Sequence, residues 1–328
     1  MMPYFSRGSV AQHKARAEAL LNEIIDVPDA NLPMPLAGNP ADWAREREVE
    51  GWHGICASDH LWVGQTVYPH VFVVLATMAA ATTRIRLTSS FANNLFRSPV
   101  EFAQASLTLN MLSGGRFEPG LGAGWMGQEM VATGRVFPDG PTRVGMYREA
   151  LTIVRSLLRT DTCSFKGEHY SIEITDPPMA CVMNPPPDLI GSASGPRALR
   201  KITPLVDRLE ITASGRALRG GSLDMSVYAS ITEDEVREAV ARARAVREEV
   251  PIGTYIMIAT GDDPKVRGMA AALGVNFFSR FVGRPDSVAQ ALLDLEGLGF
   301  DRIQLTPASP GSLTAVGTHL GLDQAPSA

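Results

Sequence analysis

The chain has 328 residues, 45% of them hydrophobic and 20% charged, with a formal net charge of −5. That is ample for one large buried core, and the mild, unclustered negative charge argues against nucleic-acid partners and anionic membrane surfaces. No apolar run approaches the roughly 20 residues of a spanning helix, and no basic-then-apolar leader opens the chain, so a cytoplasmic protein is expected.

Residues 1–38 are atypical: a helical patch near 11–25 is followed by VPDANLPMPLAG, whose three prolines oppose a continuous strand. A first strand, if formed, would be short and irregular near Leu32–Leu36. From Asn39 the signals sharpen. Asn39-Pro40 caps and starts a helix that Gly51 can end. GICAS (54–58) reads as a buried strand, residues 71–82 as an Ala-rich helix, and RIRLTSSF (84–91) as the next strand. Ser98-Pro99-Val100-Glu101 is a capping box with proline at the first helical position. The stretch SGGRFEPGLGAGWMGQE (113–129) then crosses a short strand, interrupted by Pro119, into a glycine-rich loop.

Val144, Tyr147, Leu151, Val154 and Leu158 repeat at helical spacing. A polar, proline-rich excursion at about 160–187 carries a hairpin near Gly167. LIGSASGP (189–196) is strand, loop and helix start, and RLEIT (208–212) is another strand. Thr232 opens a second capping box, YIMIAT (255–260) is buried strand, helices begin at Pro264 and Pro285, and RIQLT (302–306) is the last strand. The segment 311–328 is expected to fray.

Seven clear strands and one doubtful one, alternating with helices, define an α/β chain with a parallel sheet. Closure of eight units into a single (β/α)₈ TIM barrel fits this length, and the absence of G-x-G-x-x-G after the first strand disfavours the doubly wound alternative. In a barrel, function gathers at the C-terminal ends of the strands. Those ends here are Asp59-His60; Ser89-Ser90-Phe91 with Asn93; Ala123-Gly124-Trp125 with Gln128; and Gly191-Ser192-Ala193-Ser194-Gly195. Successive N–H groups in the last of these, at a helix start, make an anion site, to which Arg197 adds charge; the same residues would also serve as a plain capped turn. His60 is the one histidine at a strand end, able to hydrogen-bond a ring or move a proton, or simply to be held by Asp59. No metal spacing exists among the histidines and cysteines, and there is no G-x-S-x-G elbow or P-loop. Chemistry by a bound cofactor is therefore expected, with no metal.

SDHLW (58–62), RIRLTSSF, SPVEFAQASLTLNMLSGGRFEPGLGAGW and LIGSASGP together resemble the bacterial-luciferase-like superfamily of FMN-dependent monooxygenases and deazaflavin (coenzyme F420) dehydrogenases. The resemblance covers about residues 40 to 300. It implies an oxidoreductase with His60 as the catalytic residue and Asp59 beside the cofactor ring. It further implies a non-prolyl cis peptide at Ser90–Phe91 behind the ring, and Asn93 at the ring's polar edge. Ala123, Gly124 and Gln128 would contribute contacts from strand four, and Gly191, Ser192, Ala193, Ser194 and Gly195 would grip the cofactor phosphate. Trp125 stands where the sugar-phosphate-oxidising branch has a carboxylate. With Trp62 and Phe96 it would line an apolar substrate pocket. FMN would imply oxygenation of a small organic substrate, with a separate flavin reductase as partner; F420 would imply hydride transfer. Basic residues that are nearly all Arg, as in GC-rich genomes, tilt the reading towards F420. A homodimer is implied by the family, and a non-catalytic or partner-dependent flavin-binding member is the alternative.

Overall fold

The computed structural model describes residues 28–36, 38–176 and 185–322. The helical patch expected at 11–25, part of the excursion and the last six residues lie outside them.

Eight parallel strands form the barrel: β1 (Asp29–Asn31), β2 (Gly54–Ala57), β3 (Arg86–Ser89, resumed at Ala92–Asn93), β4 (Phe117–Glu118, resumed at Gly120–Gly122), β5 (Ile190–Ala193), β6 (Arg208–Ile211), β7 (Ile252–Thr260) and β8 (Arg302–Pro307). Each pairs with its neighbour in sequence, and β8 pairs with β1, Asp29 opposite Gln304, which closes the ring. The helices lie outside. The expected start signals are present: the Asn39 side chain accepts from the Ala41 N–H, and Ser98 and Thr232 form capping boxes with Glu101 and Glu235.

Both strand interruptions fall where the sequence predicts trouble. Pro119 offers no N–H to the ladder. Ser89 bridges the gap: its hydroxyl donates to Gly120 O at 2.8 Å and accepts from Gly120 N at 3.0 Å. On β3 the break is the Ser90–Phe91 peptide, which is cis. A Cβ on Gly120 would stand 2.1 Å from the Ser89 carbonyl oxygen and 3.0 Å from the Phe91 ring, so Gly120 makes room first for the β3 backbone and then for that ring.

Two expectations need correction. The first strand is Asp29–Asn31, not Leu32–Leu36; cis Met34–Pro35 follows it. Its Asp29 and Asn31 are buried, so its polar composition concealed a strand. The segment expected to fray holds the helix Ser312–Leu320, with Leu313 and Val316 buried. Its apolar residues keep helical spacing, but glycine, serine and alanine around them dilute the signal.

The lower barrel is filled by charge. Arg302 pairs with Asp29 at 2.8 Å and with Glu118 at 3.0 Å; Arg208 and Arg86 reach Glu118 at 3.1 and 2.5 Å. Burial raises the Glu118 carboxyl, but Arg208, Arg302 and Arg86 outweigh it and hold it at about 2. This network lies at the strands' N-terminal ends, away from the face where barrels carry chemistry. Arg116, from LSGGRF, is also structural: it donates to Ala79 O, Thr82 O, Thr82 Oγ1, Ile85 O and Ser113 O at 2.7–3.0 Å. It thereby closes the C-terminus of the helix Val71–Ala81.

Candidate active site at the C-terminal face of the barrel

The best-defined chemical group at this face is a pair. His60, just beyond β2, places Nδ1 2.9 Å from Oε2 of Glu129, a carboxylate with 0% of its side chain exposed. Glu129 Oε1 also accepts from the N–H groups of Leu61 and Trp62, at 2.5 and 3.2 Å. A carboxylate only accepts here, so Nδ1 carries the hydrogen, and in the neutral imidazole Nε2 holds the lone pair. Among the described residues Nε2 has no hydrogen-bond partner, and 15% of the His60 side chain is open to solvent. Tyr68 and Trp125 pack edge-on against the imidazole, with ring centroids at 5.4 and 5.5 Å. Burial, with Glu129 nearby, raises the Tyr68 phenol. Trp62 opens the small hairpin Trp62–Val63/Thr66–Val67 beside them.

Glu129 escaped the sequence reading by one position. The short helix Gly127–Ala132 leaves Gln128 exposed and turns Glu129 inward. Its partner lies 69 residues away, a separation that local pattern cannot bridge. The available signal was a carboxylate closely following the glycine loop.

Asp59 is committed elsewhere than to His60. It forms a bidentate pair with Arg97, at 2.5 and 3.1 Å, and accepts from Asn93 N at 2.7 Å. It thus fixes the turn after β3. Asn93 Oδ1 accepts from Leu95 N at 2.9 Å and fills the space that a Cβ on Gly124 would need. With φ +79°, Gly124 is a position only glycine occupies comfortably. Ser90 donates through its hydroxyl to Gln304 Oε1. Ala123 and Ser192 are half-buried at the strand ends.

On β5, Gly191 packs outward against Val206, Ile202 and the Tyr147 hydroxyl, while Ala193 is buried. Gly195, not Ser194, is the N-cap of the helix Pro196–Ile202, and the Ser194 side chain packs on Gly215. Phe96 lies under Arg135, 5.9 Å from guanidinium carbon to ring centroid. No group of three or more His, Cys, Asp or Glu able to hold a metal occurs among the described residues, and no helix there is long and apolar enough to cross a membrane.

Two buried amides bear on whether a flat heteroaromatic ring fits this end. Both side-chain atoms of Asn31, at the upper end of β1, and Nε2 of Gln304, beside Ser90, have no partner among the described residues. A buried polar group left unpaired costs about 1–3 kcal/mol. A ring edge carrying both carbonyl and N–H groups, as the pyrimidine portions of FMN and F420 do, would satisfy such a set.

Residues 26–278 match the family model of the luciferase-like monooxygenases, and the chain belongs to that family. Its relatives by sequence include F420-dependent glucose-6-phosphate dehydrogenases. The protein of Amycolatopsis mediterranei (strain U-32) is 31% identical over 135 residues, 40% of each chain. That of Kribbella flavida is 26% identical over 231 residues, 68% of this chain and 65% of the relative. The matches thus span from two fifths to two thirds of these relatives' lengths. Among solved structures, an F420-dependent secondary alcohol dehydrogenase carrying an F420-acetone adduct superposes with TM-score 0.68 at 17% identity, over 92% of this chain and 99% of that one. Monooxygenase RslO1 from Streptomyces bottropensis gives 0.67 at 18% identity, over 87% and 90%. At these identities the likeness establishes the fold, a luciferase-like (β/α)₈ barrel.

Proposed function

We propose that the protein is an F420-dependent oxidoreductase that moves a hydride between the deazaflavin and a small, largely apolar alcohol or carbonyl compound. The His60–Glu129 pair carries this reading. F420 bound at the C-terminal face supplies the hydride acceptor or donor. Ser90, Asn93 and the unpaired Asn31 and Gln304 amides would meet the ring's polar edge, and the Ser194–Gly195 turn its phosphate.

Loss of hydride from a carbon bearing a hydroxyl leaves the O–H proton to be removed, and His60 Nε2 is free to accept it. Glu129, holding Nδ1–H, keeps that lone pair outward and stabilises the imidazolium that forms. In the reverse direction the same nitrogen returns the proton to the carbonyl oxygen. Tyr68, Trp62 and Trp125 would hold water away and favour apolar substituents. Trp125, standing where the sugar-phosphate-oxidising branch has a carboxylate, argues against glucose 6-phosphate despite the relatives that use it.

The sequence relatives support F420 over FMN. The intact, oriented dyad supports catalysis over a purely ligand-binding role. Turnover with a panel of small secondary alcohols, followed by the loss of F420 absorbance on reduction, tests the reading. His60→Asn should lower kcat by about 10²–10⁴ with cofactor affinity unchanged. Equal turnover by the variant would remove His60 from the chemistry.

A further inference from the structure

Between β4 and the helix Gly140–Thr160 the chain runs as a strap across the C-terminal face. Of residues 123–139 only Met126, Glu129 and Met130 are buried, and 131–136 are all exposed. A segment with so little core of its own is placed by its ties to other loops. Glu129 ties it to His60, Leu61 and Trp62 after β2. Arg135 Nη1 donates to Leu95 O and Phe96 O in the turn after β3, at 3.1 and 2.9 Å. The third tie reaches the segment after β6: Gly127 N, the first N–H of the helix Gly127–Ala132, donates to Gly221 O at 3.0 Å. The Phe137 ring lies against both of these glycines. It stands 2.9 Å from where a Cβ on Gly127 would lie and 3.0 Å from where one on Gly221 would lie. The Arg143 guanidinium packs over the ring, 4.2 Å from its centroid, and donates to Pro138 O at 2.6 Å.

We propose that Phe137 is a positioning residue for the His60–Glu129 pair: its ring clasps the strap to the segment after β6 and so fixes the helix that aims Glu129 at Nδ1. The inference rests on the role given above to that pair. The helix has six residues, fewer than two turns, and Gly127 lies two positions before Glu129. One residue is about 100° of helix rotation, the whole difference between presenting Glu129 and presenting Gln128 to His60. An end pinned at Gly127 sets that rotation. The 2.9 Å contact to Nδ1 has little slack, since a shift of about 1 Å takes it beyond hydrogen-bond range. The two glycines fit the same account. Gly221 has φ +84°, which favours glycine by itself, but Gly127 is outside the positive-φ region, so the ring's place beside it is what a side chain there would take.

The test sets Phe137→Ala, which removes the clasp, beside Gly221→Ala, whose methyl group displaces the ring from the opposite loop. Nitrogen-15 NMR of the histidine rings at about pH 8.5 reads the result without substrate or cofactor. His60 should carry its hydrogen on Nδ1 in the wild type and populate both tautomers in each variant. The double variant should go little further than either, because the two changes break one contact. In each variant kcat for alcohol oxidation should fall about tenfold to a hundredfold with the F420 dissociation constant within about twofold, and Phe137→Leu should recover most of the loss. An unchanged His60 signal in folded Phe137→Ala would overturn the inference, and so would a change that Gly221→Ala does not reproduce. Should Phe137→Ala not fold, Gly221→Ala and Phe137→Leu decide by the same signal. Mixed tautomers in the variants of a protein that oxidises no alcohol would uphold the clasp and sink the functional reading instead.

Discussion

Replacing Glu129 by Gln separates the orienting role of this carboxylate from its bulk. The amide oxygen can still accept from Leu61 and Trp62 N–H, at the place where Oε1 now accepts at 2.5 and 3.2 Å. The amide nitrogen would then sit where Oε2 now lies, 2.9 Å from Nδ1 of His60. Two donors cannot share that contact, so the imidazole must shift its hydrogen to Nε2 and accept at Nδ1. The stability cost is the difference between a charge-assisted bond and a neutral one, about 1–2 kcal/mol, or roughly 1.5–3 °C in Tm for a domain of this size. The catalytic cost should be larger, a fall in kcat of about 10²–10⁴, because Nε2 would now donate where a base is needed. Nitrogen-15 NMR of the histidine rings at about pH 8.5, above the usual histidine range, reads the tautomer directly and needs no substrate. Wild-type His60 should carry its hydrogen on Nδ1 and the Glu129→Gln variant on Nε2. An Nε2–H tautomer in the wild type would refute the reasoning at its root.

Two further predictions concern the scaffold. Glu210, buried inside the barrel with neither oxygen hydrogen-bonded among the described residues, has its pKa pushed up to about 7 by burial, against the opposing pull of Arg208 and Arg302. The folded state thus holds a proton that the unfolded chain releases near 4.5, so stability contributed by the neutral carboxyl falls as pH rises from 4.5 to about 7 and is then constant, a loss of about 3 kcal/mol. Glu210→Gln should therefore gain Tm relative to wild type at about pH 8 and little at about pH 4.5; the same difference at both values would contradict the burial argument. Arg116→Ala strips donors from four backbone carbonyls and one hydroxyl and should cost about 2–4 kcal/mol in urea unfolding, with a change below about 0.5 kcal/mol speaking against its bracing role.

Much of this architecture is legible in the sequence because capping and turn chemistry are local. Asn39, Ser98, Thr232 and Pro119 each announce a boundary or break within a few residues, and the structure has one at each. β1 lies a few residues before the stretch the sequence favours because Asp29 and Asn31 are both buried, Asp29 in the charged network and Asn31 with its amide unpaired among the described residues, which inverts the usual apolar-inside pattern. At the candidate site, strand-end position was readable for His60, Ser90 and Gly124. The choice between Gln128 and Glu129 was not, since it depends on which way a six-residue helix turns its first residues. The commitment of Asp59 to Arg97 is likewise invisible before the turn after β3 brings the two together.

The most direct test of the central claim is a titration of the purified protein with F420 and, separately, with FMN, following ring absorbance and fluorescence in both redox states. Binding of F420 with a Kd of about 1 μM or below, and of FMN at least about tenfold more weakly, is the expected result. Tight binding of FMN alone would contradict hydride transfer through a deazaflavin and point to oxygenation; binding of neither would leave the His60–Glu129 pair without the cofactor assigned to it.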